Sequence, residues 1–163
     1  MAGVALVAIA IGVAVFISGK GNLQSTSSAV ADNQSSVVSV PFTKLVQGTH
    51  STIEKRVNYF ITSPTQLSEL WKMISATGTP PKVDFNKDAV IAVFAGQQPT
   101  TGYAIEVSKV LDSSSRLVSI TLAKPDGNCI TGQSLTAPYE IVAVPATTLP
   151  LAHEDVWTTV GCK

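Results

Sequence analysis

The sequence predicts a β-rich α+β domain over about residues 40 to 163: a mostly antiparallel sheet or small sandwich of about six or seven strands with one helix. Three observations lead there. Short apolar or alternating runs recur along the chain, each bounded by Gly, Pro, Asn, Asp or Ser, which is the pattern of strands separated by turns. Helical spacing of apolar residues is clear at one place only, Leu67, Leu70, Trp71 and Ile74. The composition is 45% hydrophobic and 13% charged. A core is therefore affordable, and the charged share falls well below the roughly 25% of ordinary soluble domains.

Before the domain, Ala2 to Ile17 is an uncharged run of sixteen residues. As a helix it would span about 24 Å, against about 30 Å for a bilayer core. Residues 1–20 read as a signal peptide or N-terminal membrane anchor, and residues 21–39 as a flexible Ser/Asn-rich linker. Ala29-Val30-Ala31 fits a small-x-small cleavage pattern. Lys20 follows the apolar run instead of preceding it, which taken alone would hold that end in the cytoplasm.

The first strand falls in Val40 to Val46, with Pro41 near its start, and the second in Arg56 to Ile61. Ser63 then caps a helix over 63–74, Pro64 suits its first position and Gln66 completes a capping box. Gly78 and Pro80-Pro81 end it, and Trp71 on its apolar face reads as core. Ala89 to Ala95 carries no charge and reads as a strand buried on both faces, stopped by Gly96. Tyr103 to Val107 alternates, so it reads as a strand with one wet face. Gln97 to Gly102 reads as a hairpin turn between those two strands: Pro99 fixes φ, Gly102 allows positive φ, and Thr100 and Thr101 can bond back to the backbone. Asp112 to Ser115 is a turn, Arg116 to Ala123 a strand, Lys124 to Thr136 a loop, Tyr139 to Val144 a buried strand, and Val156 to Val160 a short last strand.

The chain carries 11 basic and 11 acidic residues with no basic cluster, so it lacks an electrostatic footprint for nucleic acid. It also lacks a Walker A loop, a dinucleotide fingerprint, a GxSxG elbow and a CxxC pair. His153-Glu154-Asp155 reads as a solvated polar turn, because consecutive side chains do not converge on a metal. Asp84, Asp88 and Asp112 read as turn caps. The expectation is no catalytic residue, no metal, no cofactor, no small-molecule substrate and no enzyme. Cys129 and Cys162, an even pair in an exported domain, read as a disulfide, with two separate thiols as the reading for a reducing compartment.

VDFNKDAVIAVFAGQQPTTGYAIEV followed by APYEIVAVPATTLP resembles the C-terminal domain of the protease complex subunit PrcB family over about Lys82 to Leu151. The resemblance implies a bacterial, extracytoplasmic, non-catalytic partner of a protease complex. It implies a lipid anchor for some members, although no lipobox cysteine follows the apolar segment here. Pro99-Thr100-Thr101-Gly102-Tyr103 is also similar to one loop of the chagasin-type cysteine protease inhibitors, with Gln98 where that family has Asn. The leading expectation is a protein-binding module, an accessory or stabilising subunit, held at the membrane or secreted after cleavage near Ala31. The alternative is a protease inhibitor acting through Pro99 to Tyr103. In both readings Pro99, Thr100, Thr101, Gly102 and Tyr103 are the partner-binding residues: a stiff loop loses little entropy on docking.

Overall fold

The computed structural model describes residues 36–162, so the apolar run and most of the linker lie outside the described residues. Among the described residues no helix is long and apolar enough to cross a membrane.

The strands are β1 (Val38–Ser39), β2 (Thr43–Gly48), β3 (Val57–Ile61), β4 (Asp88–Phe94), β5 (Ala104–Asp112), β6 (Arg116–Pro125), β7 (Tyr139–Pro145) and β8 (Leu151–Val160), with one helix, α1 (Pro64–Met73). One sheet has the order β1-β5-β6-β8 and the other β2-β7-β4-β3. Every pairing is antiparallel except that of β6 with β8. A β-rich sandwich with one helix is what the strand pattern predicts, with eight strands instead of six or seven.

Strand β4 lies at the centre of the fold and explains why Ala89 to Phe94 carries no charge. Its side chains alternate between two cores, because successive strand residues face opposite ways. Ala89, Ile91 and Val93 meet Val107, Val110, Val118, Ile120 and Leu122 of the facing sheet. Val90, Ala92 and Phe94 meet Leu67, Leu70 and Ile74 of the helix. The molecule thus has three layers: sheet, sheet and helix. Tyr59 meets Phe94 edge-on and Tyr139 stacks on it, both with ring centroids at 5.8 Å. Burial pushes the Tyr139 phenol up from its ordinary pKa.

The helix begins as read. Ser63 Oγ accepts from Gln66 N at 3.3 Å, but Gln66 Oε1 reaches back one residue further than a capping box requires, to Thr62 N at 2.9 Å. It ends earlier than Gly78, because Ser75 already takes φ 51° after the cap residue Ile74. Trp71 packs against the helix-side core and donates its indole N–H to Gly78 O at 3.1 Å.

Three expectations are corrected. First, Gln97 to Gly102 is not a hairpin turn: β4 and β5 lie in different sheets, so this loop carries the chain from one layer to the other. Second, His153-Glu154-Asp155 is not a turn but the middle of β8, which starts at Leu151 and runs ten residues. Its acids are anchored: Glu154 accepts from Ser119 Oγ at 2.6 Å, and Asp155 takes a two-pronged bond from Arg56 at 2.9 and 2.6 Å. Third, Asp112 ends β5 instead of capping a turn. Its carboxylate accepts from Nε and Nη2 of buried Arg116, both at 2.7 Å. That guanidinium holds the Asp112 carboxyl below the usual carboxylate range. Arg116 also donates to Pro145 O.

The two long sides of the sandwich are closed differently. On one side Glu140, wholly buried in β7, accepts from Val107 N of β5 at 2.6 Å. Lys44 Nζ of β2 lies 2.5 Å from its other oxygen, and Gln47 Nε2 donates to Ile105 O at 3.4 Å. Strand β1 is only two residues long, so this stretch of β5 has no strand neighbour, and side chains of the other sheet satisfy its backbone instead. The Glu140 carboxylate raises the Lys44 pKa above its ordinary value. On the other side the Arg56–Asp155 pair joins the β3 edge to the β8 edge.

Candidate protein-binding site

The layer-crossing loop is built from its glycines. Gly96 takes φ +76°, and a Cβ there would sit 2.8 Å from Glu54 O, so the chain turns where no other residue fits. Gln98 then exchanges backbone bonds with Thr136 at 2.7 and 3.0 Å. Thr101 N donates to Gly132 O at 3.0 Å, and Gly132 N donates to Thr101 Oγ1 at 2.8 Å. Thr136 Oγ1 donates to Thr100 O at 3.0 Å. Gly102, at φ +95°, lets the chain pass close over Pro125 and into β5. The loop is therefore stiff, as its sequence suggests, but its stiffness comes largely from a second loop, residues 126–136, laid beside it.

Between these loops and the outer face of the β5-β6-β8 sheet lies a cleft of about 660 Å³. Ala104, Ala123 and Val160 floor it, Thr101 and Gly102 form one wall, and Asn128 to Thr131 form the other. Cys129 and Cys162 close one end as a disulfide, as the cysteine pair predicts. The cleft lining is neutral throughout. It offers apolar contact and neutral hydrogen-bonding groups.

The five residues singled out in the sequence stand together at this cleft or beside it. Pro99, Thr101 and Gly102 are exposed, whereas Thr100 and Tyr103 are half-buried. The hydroxyl of Thr101 is engaged by Gly132 N. Sequence reasoning missed the opposite wall. Ile130 is fully exposed, at 104% of its reference surface, on a loop whose one other large apolar residue is Leu135, also exposed. An apolar residue inside a Pro/Asp/Gly/Asn loop was the available signal. It also missed Glu140 and Arg56, whose partners are distant in sequence, and Arg116, which pairs with Asp112 four residues away.

Fold and site together define a disulfide-tied β-sandwich domain with one helix and a neutral cleft at one end of a sheet. Residues 89–145 match the family model PrcB C-terminal, which bears out the resemblance read over Lys82 to Leu151. The match runs from the start of β4 to the end of β7 and takes in both loops of the cleft. Searches of curated proteins and of solved structures found no match to the chain. The likeness to chagasin-type inhibitors rests on Pro99 to Tyr103 alone.

Proposed function

We propose that this domain is a non-enzymatic protein-binding module, an accessory subunit of a protease complex on the extracytoplasmic side of a bacterial membrane. The observation that carries the reading is the PrcB C-terminal match over the stretch that builds the cleft. The apolar run Ala2 to Ile17 and the Cys129–Cys162 disulfide support an exported location. The neutral cleft supports a polypeptide ligand over a charged one. Ile130, free of the fold's own packing, is the anchor that a partner would cover.

The test is capture from the native organism's membrane fraction by tagged full-length protein, with Ile130→Asp as the variant. Ile130 makes no core contact, so its replacement leaves the melting temperature unchanged. The proposal expects an active protease retained by wild type and at least tenfold less by Ile130→Asp. A retained protease whose activity is blocked supports the inhibitor reading through Pro99 to Tyr103. Equal retention by both forms removes the cleft from the account.

A further inference from the structure

We propose that the Cys129–Cys162 disulfide is a thiol-exchange site through which a dithiol opens the cleft without loosening the sandwich beneath it. The proposal rests on the reading of the cleft as the partner's site and adds its regulation. The wall formed by residues 126–136 is held unevenly. At one end Gly132 exchanges bonds with Thr101, and Thr136 exchanges bonds with Gln98. At the other, Asp126 N donates to Val160 O of β8 at 2.9 Å. In between, Asn128 N and Cys129 N both turn back to Asp126, at 2.9 and 3.0 Å, and fasten the turn only to itself. A Cβ on Gly127 or on Gly161 would meet nothing within 4 Å, so the two segments that the bond joins run clear of the body there. Among the described residues the disulfide is thus the one tie that holds residues 127–131, Ile130 included, to the end of β8.

The bond also lies where a reductant reaches it. Cys162 is exposed and Cys129 half-buried, both line the cleft, and neither belongs to either hydrophobic core. Exposed disulfides exchange more readily than sealed structural ones. A thiolate of the dithiol attacks Sγ of Cys162, the more exposed residue. The S–S bond breaks, and Cys129 leaves as a thiolate and takes up a proton. The second thiol of the reductant loses its proton, attacks the mixed disulfide and frees Cys162, which is protonated in turn. The domain gains two electrons and two protons, and the reductant departs as its own disulfide.

Once the bond is cut, residues 127–131 are free to swing about Asp126 and Gly132. The floor stays in place, since Ala104, Ala123 and Val160 are held in the β5–β6 and β6–β8 ladders. A loose wall has to be ordered again whenever a partner docks, so the reduced form binds more weakly. The stability lost on reduction is a separate matter: on the chain-entropy model it comes from the freed unfolded chain and leaves the folded core as it was.

The test compares the full chain, oxidised and after dithiothreitol, well below its melting temperature. Alkylation and mass measurement are expected to find both thiols after reduction of the folded protein. Backbone order parameters at residues 128–131 are expected to fall from about 0.85 to below about 0.6, with Val107 and Ile120 unchanged. Cys129→Ser/Cys162→Ser is expected to show the loose wall with or without dithiothreitol. In capture from the membrane fraction, protein reduced and then desalted is expected to retain at least tenfold less protease, and reoxidation to restore it. The proposal is overturned by a disulfide that is reduced only once the domain unfolds, by order parameters that stay the same, or by a core that loosens along with the wall. Retention that is equal in both redox forms but lost with Ile130→Asp overturns the regulation and leaves the accessory-subunit reading standing. No retention by the oxidised form overturns that reading and the regulation with it.

Discussion

The two long sides of the sandwich solve one problem in opposite ways. Where β5 faces β2 and β7, the unpaired backbone of β5 is taken up by side chains of the other sheet, with Glu140 wholly buried at the centre. Where β3 faces β8, a partly exposed ion pair spans the gap and two strand edges stay open. On the first side Val107 N and Ile105 O are taken up, and the outer edges of β1 and β2 end their sheets. The second has a ten-residue row of backbone along β8, and the cleft lies at the end of the same sheet.

Breaking the tie at the end of β8 should have the largest effect. The disulfide joins residues 33 apart, and Cys162→Ser is expected to cost about 4 kcal/mol on the chain-entropy model, read as a lower denaturant midpoint. Glu140→Ala comes next. It strands Val107 N and opens a hole in the closed side, while Lys44, half-exposed, turns to water. About 3 kcal/mol is expected, seen in the same titration. Asp155→Ala releases only the clamp on the open side and should cost about 1 kcal/mol, with the β8 amides exchanging faster.

The smallest effects are pH-dependent, and they fall at opposite ends of the pH range. Lys44 has a raised folded pKa, so its contribution is complete below 10.5 and is lost as pH rises through the folded value. Asp112 has a lowered folded pKa, so its contribution is complete above 3.8 and is lost as pH falls through the folded value. Melting curves should therefore lose a Lys44-dependent increment in alkali and an Asp112-dependent one in acid. Lys44→Met is expected to abolish the first, and Asp112→Asn the second.

Local patterns were legible in the sequence and long-range pairings were not. The Ser63 cap, the Leu67–Ile74 face and the uncharged run from Ala89 are each specified by neighbours within a few residues, and all appear as read. The loop from Pro99 to Tyr103 was recognisable as stiff, but the strands that it joins belong to different sheets, which its own residues do not encode. His153-Glu154-Asp155 looked like a solvated turn because the side chains that anchor it, Ser119 and Arg56, lie 35 and 99 residues away. Tyr139 to Val144 read as a buried strand, and Glu140 within it is indeed wholly buried, but nothing near it in sequence names its partners. It is buried because β5, distant in sequence, offers it a backbone N–H. Half of the cleft was visible as Pro99 to Tyr103, and the other half waited on the packing of residues 126–136 beside it.

Amide hydrogen exchange, read residue by residue at low protein concentration, tests the contrast between the two sides most directly. The account predicts that Val107, bonded to Glu140, is among the slowest amides. Along β8 it predicts slow exchange at Glu154, Val156 and Thr158 and fast exchange at His153, Asp155 and Trp157. A fast Val107, or uniform exchange along β8, would contradict it.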